Sequence, residues 1–568
     1  MHIDVVPNRG SRPAYLLRES FRDGGKVRKR TLANLSSLAD DQIDALRRVL
    51  RGERLAPATE LFEVTASRIH GDTHAVLTAM RQLRVRELLS SRSSFEAEVV
   101  MGMIAARIVA PHTKLATSRW WHTRTLPQDL RIEHATDDDL YLAMDWLLER
   151  QGTIEKKLAA RHLKTGGLAL YDLTSSYFEG TTCPLAKIGH NRDGRKNKLQ
   201  VNYGLLTDRR GCPVAVSVYE GNTNDPKTLM PQVSKLRDDF GLERVVLVGD
   251  RGMIGQAAIE DLRELPGLEW ITALKSTQIR ALVEGGALQL GLFDKRNLFE
   301  LTHPDYPGER LVACRNAELG RLRAHKREAL LEATAKELEK VRAMVGRGEL
   351  RGAGKIGVRA GRVVNKYKVA KHFELTIEDA RFDFALREDE IAAEAALDGI
   401  YVIRTSLPKQ QMSAPEAVRS YKALSEVERA FRSLKTIDLE VRPIHHRLAD
   451  RVRAHIFLCM LAYYVEWHMR EAWRPLLFAD EDLEAKAKRD PVAPAKRSGA
   501  ADAKAATKTL PDGAPTHSFR TLVELLSTIV RNTCRAPGAP AGAPTFTVVT
   551  TPSAEQQRAM DILAKIAA

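Results

Sequence analysis

Three acidic residues, Asp172, Asp250 and Glu428, stand where carboxylates could perform chemistry. Asp172 follows the apolar run GLALY and Asp250 ends the run RVVLVGD, so both are predicted at buried strands. A carboxylate there is costly unless it is paired, hydrogen-bonded or bound to a metal. Converging carboxylates also repel one another, and a pair of Mg²⁺ ions would remove that repulsion, clamp a phosphodiester and generate a hydroxide. The trio therefore predicts a phosphoryl-transfer site.

Each of these acids also has an ordinary structural explanation. An aspartate at a strand end is more often a turn former or a helix cap than a metal ligand, and a glutamate on an exposed helix is usually just solvated. Four other acids lie nearby in the sequence and are alternative ligands: Glu179, Asp193, Asp208 and Asp225. The order strand Asp, strand Asp, helix Glu favours the trio.

The segment SYKALSEVERAFRSLKT, residues 420–436, is predicted to be the helix that carries Glu428. Seven residues are close to two helical turns, so Tyr421, Glu428 and Lys435 would lie on one line, with Arg432 one turn after Glu428. A separate apolar stripe would pack against the core. The pattern indicates a carboxylate preceded by an aromatic ring and followed by cations.

The elements that must position these residues follow a recognisable order after Gly167. Three consecutive strands are predicted, then a helix, the strand RVVLVGD, a helix, the strand EWITALKS, a long insertion, the strand DGIYVIRTSL and the helix with Glu428. Antiparallel strands followed by parallel strands that alternate with helices are typical of a ribonuclease H-like α/β fold.

Composition shifts along the chain predict seven regions. Residues 277–397 include a run in which every charged side chain but Glu349 is basic, and 476–515 are rich in Ala, Lys and Pro. The predicted regions are 1–60, a β-hairpin and helix with a possible DNA contact; 61–165, helical; 166–276, the first part of a catalytic core; 277–397, a basic insertion domain; 398–475, the second part of the core; 476–515, a disordered linker; and 516–568, a C-terminal helical unit.

The overall charge indicates a polyanionic partner. The chain has 568 residues, 88 Lys and Arg against 73 Asp and Glu, and a formal net charge of +15. Small packaging proteins would be shorter and more lopsided in charge. The five cysteines lack C-x-x-C spacing, which argues against a zinc knuckle or a disulfide framework. The longest apolar run, residues 456–465, is too short to cross a bilayer, so we expect an intracellular protein without membrane association.

These residues resemble a bacterial insertion-sequence transposase of the DDE class, in the branch marked by Tyr-x2-Arg-x3-Glu-x6-Lys. Tyr421, Glu428 and Lys435 match that signature, whereas Leu424 stands at the Arg position. Four further motifs carry the resemblance along most of the chain: YDLTSSYFEG, VGDRGM, NKYKVAKHF and RPIHHR…RVRAHIFLCMLAY.

The resemblance implies roles for individual residues. Asp172, Asp250 and Glu428 would be catalytic metal ligands for two Mg²⁺ ions, for which Mn²⁺ would substitute. The side chains expected to hold DNA are Tyr421, Lys435, Arg432, Arg429, Lys366 and Lys368. Arg432 or Arg429 would supply the cation that Leu424 lacks, and Arg432 is the better placed.

The function implied is metal-dependent cleavage at the ends of an insertion sequence, followed by transfer of the 3′-OH into target DNA. The partners would be double-stranded DNA, as terminal inverted repeats and as target, and a second copy of the chain, in the bacterial cytoplasm at the nucleoid. Two alternatives remain open: a nuclease of the same fold that does not join strands, and a transposase-derived DNA-binding regulator without activity.

Overall fold

The computed structural model describes residues 1–53, 61–195, 197–289, 291, 293 and 297–567. These residues form two compact units, residues 1–68 with 530–551 and residues 69–529 with 552–568. Each unit has its own sheets.

The helices and strands alternate along the whole chain. Up to the main sheet they are β1 (His2–Asn8), β2 (Ser11–Asp23), β3 (Lys26–Asn34), α1 (Asp40–Leu50), β4 (Glu63–Ile69), α2 (Gly71–Gln82), α3 (Val85–Leu89), α4 (Phe95–Val109), α5 (Lys114–Trp120), α6 (Leu126–Leu130), α7 (Asp137–Glu149) and α8 (Gln151–His162). The central elements are β5 (Leu168–Tyr177), β6 (Gln200–Asp208), β7 (Pro213–Glu220), α9 (Leu229–Ser234), β8 (Val245–Val248), α10 (Gln256–Arg263), β9 (Leu268–Ala273), α11 (Ser276–Glu284), β10 (Leu298–Leu301), β11 (Arg310–Arg315), α12 (Ala317–Gly346), α13 (Ala353–Tyr367), β12 (Phe373–Ile377), β13 (Phe382–Leu386), α14 (Glu388–Ala395) and β14 (Ile400–Thr405). The last are α15 (Ala414–Lys422), α16 (Leu424–Arg432), α17 (Ala449–Ala472), α18 (Leu483–Lys488), α19 (Gly499–Thr507), α20 (Phe519–Ser527), β15 (Val530–Arg535), β16 (Phe546–Val549) and α21 (Ala554–Leu563).

The smaller unit contains two three-stranded sheets, the first of them antiparallel. The predicted hairpin is present as β2 and β3, and β1 adds a third strand. Gly24 and Gly25 take φ values of +57° and +83° in the turn, which glycine adopts without steric cost. The second sheet has the order β16-β15-β4. It corrects two predictions, because 61–165 begins with a strand and the segment IVRNT, predicted as the end of a helix, is strand β15.

The larger unit is built around one mixed eight-stranded sheet, ordered β10-β11-β14-β9-β8-β5-β6-β7. Strands β5, β6 and β7 are antiparallel neighbours, whereas β8 and β9 run parallel to β5. β14 is antiparallel to β9, and β11 and β10 extend the sheet at that side. The chain therefore has a mixed α/β fold, and the predicted strands of the core are observed.

The region predicted as one insertion, 277–397, divides into two parts. Its β10 and β11 belong to the main sheet, so they are not separate from the core. The segment from α12 to β13 has its own small hydrophobic core, which includes Leu338, Ile356 and Phe373. Alternation of apolar residues in β10 and β11 does not reveal which sheet they join, because that depends on long-range pairing.

Helix α17 anchors the helices to the sheet. It contacts α4, α7 and β7, and nearly all of α4 is buried. In the described part of the chain no single helix is long and apolar enough to cross a membrane. Helix α4 and residues 114–123 together meet the length and composition requirement for a membrane span, but a bend of 91° separates them.

Residues 476–515 differ from the predicted disordered linker, because they contain α18 and α19 and pack onto the larger unit. Val492 is buried, and its carbonyl accepts a hydrogen bond of 2.7 Å from Asn316 Nδ2. Ser498 Oγ donates to Asp480 Oδ1 at 2.7 Å. A few well-placed contacts order this segment despite its low content of large apolar residues.

Candidate active site

Two of the three candidate acids are brought together by strand register. Strands β5 and β8 are parallel neighbours, with Leu170 opposite Val248. Asp172 follows Leu170 by two residues within β5, and Asp250 follows Val248 by two residues, just past the end of β8, so both lie at the same edge of two neighbouring strands. The apolar runs before them are buried, which fixes this register.

Glu428 reaches the same place from helix α16, which packs on β5. Val427, Ala430 and Phe431 form its buried face, and the Phe431 ring meets Tyr203 edge-on at 5.9 Å. Leu424, at the signature's Arg position, is buried with them. Glu428 points away from this face, is exposed, and makes no ion pair or hydrogen bond with any described residue.

The Asp250 and Glu428 carboxylates both act on the pKa of Asp172. That pKa is raised to about 7, chiefly by burial; the two neighbouring carboxylates contribute to the rise, whereas the Leu173 amide and Arg192 oppose it. Asp172 Oδ1 accepts a hydrogen bond of 2.8 Å from the Leu173 amide. Among the described residues, one group of three potential metal ligands has all its ligand atoms within 4.8 Å of one another, and it is not this trio. The carboxylates of Asp172, Asp250 and Glu428 are therefore further apart than that.

Asp250 stabilises a turn and could also bind a metal ion. Its Oδ1 accepts hydrogen bonds from the amides of Gly252 at 2.9 Å and Met253 at 2.8 Å, so it shapes the turn after β8. Its second oxygen takes no hydrogen bond from the described residues. One oxygen fixes the side chain and the other remains available as a ligand.

The four alternative acids are all committed to cations. Their ion pairs are Glu179 with Lys198 at 3.1 Å, Asp193 with Lys435 at 3.0 Å and Arg442 at 2.5 Å, Asp208 with Arg210 at 2.9 Å, and Asp225 with Arg192 at 2.5 Å. A carboxylate already neutralised by a cation is a weaker candidate for a metal ligand. The geometry therefore favours the trio over these acids.

The predicted single helix from Ser420 to Thr436 is broken in two places. Helix α15 ends at Lys422 and α16 begins at Leu424, and a π-helical turn spans Ser433–Ile437. Tyr421, Glu428 and Lys435 therefore do not follow one straight line, because a π turn holds more residues than an α turn. A regular seven-residue spacing contains no signal for either irregularity.

Tyr421 nevertheless lies beside all three carboxylates. Burial raises the pKa of its hydroxyl to about 12, with Asp250, Asp172 and Glu428 adding to the shift and Arg251 opposing it. Arg432 is exposed on α16, and Arg429 is exposed and pairs with Glu426 at 2.6 Å. Of the three side chains, Tyr421 is the one that interacts with the acidic cluster in the described part of the chain.

Lys435 is expected from the sequence to contact DNA at an exposed position, but its side chain is buried in an ion pair. It is 9 % exposed and pairs with the buried Asp193, which also pairs with Arg442 and accepts the Tyr177 amide at 2.9 Å. Lys435 and Arg442 line a cavity of about 330 Å³ together with Tyr177 and Arg195. Sequence reasoning missed Arg442 as a site residue, although it begins the RPIHHR motif.

Asp172 is expected to make the metal-free protein less stable as pH rises. The pKa of Asp172 in the folded state, about 7, lies above the ordinary aspartate value of 3.8, so the folded state binds the proton more tightly between these values and loses this advantage as pH rises to 7. In EDTA, Asp172→Asn should therefore unfold at a higher temperature than wild type at pH 8, with the gap closing near pH 4. Thermal melts across that range measure it, and a gap independent of pH would contradict the assignment.

Comparisons with known proteins assign the chain to a family. The family described as the transposase DDE domain matches residues 168–465, and the N-terminal domain of the IS1634 family transposases matches residues 3–60. Among curated proteins no sequence matches significantly. A solved structure, the piggyBac transposase synaptic complex with hairpin DNA, is similar at 8 % identity and a TM-score of 0.35, covering 80 % of this chain and 77 % of that chain, a score too low to support any conclusion. Because the DDE-domain match spans more than half of the chain and includes Asp172, Asp250 and Glu428, this protein belongs to the insertion-sequence DDE transposases and acts in DNA transposition.

Proposed function

We propose that this transposase cleaves the ends of its element and joins the freed 3′-OH to target DNA at a site formed by Asp172, Asp250 and Glu428. The observation that supports this most strongly is the convergence of the three carboxylates from two adjacent parallel strands and one packed helix. The sheet order β7-β6-β5-β8-β9, three antiparallel strands followed by parallel ones, supports a ribonuclease H-like core.

The donor set fits hard divalent cations. It consists of carboxylate oxygens only, which Mg²⁺ and Mn²⁺ prefer. The Asp250 and Glu428 carboxylates disfavour ionisation of Asp172, and a cation would relieve that cost. When bound, such ions would polarise the scissile phosphate and lower the pKa of a bound water.

The neighbouring side chains would orient the DNA. Tyr421 presents a neutral hydroxyl next to the carboxylates, suited to donate to a phosphate oxygen without adding charge. Arg432 is exposed and makes no ion pair with any described residue, so its guanidinium is free to pair with phosphate. Arg429 would join them after releasing Glu426. Lys435, held by Asp193, would act at the mouth of the adjacent cavity.

A second DNA-binding surface is proposed along helix α13. Lys355, Arg359, Arg362 and Lys366 recur at helical spacing on its exposed side, opposite the buried Ile356, Ala360 and Val364. Lys368 follows at the C-terminal cap with φ +57°. None of these cations forms an ion pair within the described residues, so the stripe is available to track a phosphate backbone.

Replacing Lys366 and Lys368 together with glutamine should weaken binding of terminal DNA and make it less salt-dependent. Each lost phosphate contact removes about 0.9 from the slope of log K against log[salt], so the slope should shrink by about 2. Lys340→Gln is the matched control, because Lys340 lies on α12 of the same subdomain but is already paired with Glu337. A slope unchanged by the double variant would exclude α13 from the contact.

A joining assay tests the proposed reaction. Duplexes that carry the DNA flanking the coding region, one end labelled, are incubated with the full chain and a plasmid in Mg²⁺ or EDTA. We expect labelled plasmid only with Mg²⁺. Cleavage without joining would instead indicate a nuclease, and metal-independent binding without cleavage a regulator. Because two ends must be joined, we also propose that two copies of the chain act together on DNA.

A further inference from the structure

We infer that Cys212, His162 and His468 form a binding site for a transition-metal ion of the Zn²⁺ type, separate from the acidic cluster. Among the described residues they are the one group of three potential ligands whose ligand atoms all lie within 4.8 Å of one another. A thiolate with two imidazoles suits Zn²⁺ and related borderline-soft ions rather than Mg²⁺.

The distances are close to those that a tetrahedral ion requires. Cys212 Sγ lies 3.8 Å from His468 Nε2. Zn–S and Zn–N bonds of about 2.3 and 2.0–2.1 Å at tetrahedral angles place sulfur and nitrogen about 3.5 Å apart, so this pair needs to move by only a few tenths of an ångström. The other pairs, at up to 4.8 Å, need a contraction of at most about 1.4 Å, which side-chain torsions can supply.

The three ligands come from three elements that the ion would join. His162 ends α8, Cys212 lies in the turn between β6 and β7, and His468 lies near the end of α17. Cys212 is fully buried and His468 is 9 % exposed, so an ion there would be shielded from competing solvent. It would tie two helices to the antiparallel part of the main sheet.

The surroundings hold the ligands in place as metal sites require. The Tyr464 hydroxyl lies 3.1 Å from His162 Nε2 and would fix the orientation of that ring. The Cys212 amide donates to Asp208 Oδ1 at 3.0 Å, which anchors the backbone of the thiol. The Trp467 ring packs edge-on against His468 at 4.9 Å.

A second cysteine–histidine contact shows what distinguishes this cluster. Cys459 Sγ lies 4.0 Å from His455, but no third ligand joins them among the described residues, and the buried Lys114 and Arg107 act electrostatically on both. Cationic neighbours disfavour a metal ion. The His162–Cys212–His468 group also has cations nearby, Arg161 and Arg210, but it contains three ligand side chains, and the carboxylate of Asp208 lies beside it and pairs with Arg210.

Cobalt spectroscopy tests the site without relying on activity. The full chain is stripped with chelator under reducing conditions, supplied with excess Mg²⁺ to saturate carboxylate sites, and titrated with Co²⁺. We expect a thiolate-to-cobalt charge-transfer band that saturates at one equivalent, retained in Cys314→Ser and lost in Cys212→Ser. Cys314 is the matched control, because it is equally buried but its thiol lies against the Val312 carbonyl, at 3.7 Å, and the Tyr401 side chain rather than against histidines.

His162→Gln keeps the test decisive if Cys212→Ser does not fold, because His162 is only half-buried. It should weaken Co²⁺ binding at least about tenfold, as loss of a ligand does. No band in the wild-type protein, or an unchanged titration in His162→Gln, would show that the cluster is only a packed thiol–imidazole contact. Carboxylates give no thiolate band, so this outcome is independent of the proposed reaction.

Discussion

Replacing Glu428 with glutamine should lower cleavage of element-end DNA by about 1,000-fold or more while leaving end binding nearly unchanged. The substitution keeps the shape of the side chain and removes one charge from the cluster that includes Asp172 and Asp250. Glu428 is exposed and makes no contact with the described residues that its loss would break, so the fold should be unaffected. Single-turnover cleavage in Mg²⁺ and a parallel binding titration measure the two quantities.

Glu426→Gln is the matched control for that variant. It lies on the same helix, loses the same charge, and breaks only surface ion pairs with Arg429 and Lys486. Such pairs contribute at most about 1 kcal/mol, so cleavage should stay within a few-fold of wild type. If both variants cleave equally well, Glu428 is not part of the reacting site.

Replacing Asp193 with asparagine should lower the free energy of unfolding by about 3 kcal/mol, the low end of the range for breaking a buried ion pair. Asp193 is 3 % exposed and is the counter-charge for Lys435 and Arg442, whose side chains are 10 % and 20 % exposed. Without the Asp193 charge, the Lys435 and Arg442 cations stay close together in a mostly buried environment. Because both side chains keep some access to water, we expect a loss of stability at the low end of the range for buried ion pairs. Denaturant unfolding measures the change.

Lys435→Met separates the stabilising role of this cluster from DNA binding. It removes one cation but leaves Asp193 paired with Arg442, so stability should fall by only about 1 kcal/mol. If Lys435 also contacts DNA, the same variant should lose affinity for terminal DNA.

An Asp193→Asn protein as stable as wild type would mean that the buried charges of Asp193, Lys435 and Arg442 do not stabilise one another as their distances indicate.

The sequence predicts the acidic pair on the sheet well because the relevant physics is local. Two apolar runs that each end in an aspartate specify buried parallel strands, and their register then sets Asp172 beside Asp250. The helical turns around Glu428 are predictable from the apolar stripe of Val427, Ala430 and Phe431, although the breaks on either side of α16 are not.

The parts that sequence reasoning missed depend on contacts between distant residues. Lys435 meets Asp193 across 242 positions, and neither residue carries a local pattern that indicates a buried pair. The ordering of Val492 rests on Asn316, 176 positions away. Local composition indicates only the conformational entropy that such segments lose on ordering. The long-range contacts supply the favourable free energy that compensates for that loss.

The central claim is that Asp172, Asp250 and Glu428 together hold divalent cations, and anomalous diffraction from crystals soaked in Mn²⁺ tests it most directly. The account predicts anomalous peaks bounded by all three carboxylates, each ion about 2.1 Å from its oxygen ligands. Peaks that lie elsewhere, or that contact Asp250 alone while Asp172 and Glu428 remain apart, would contradict it.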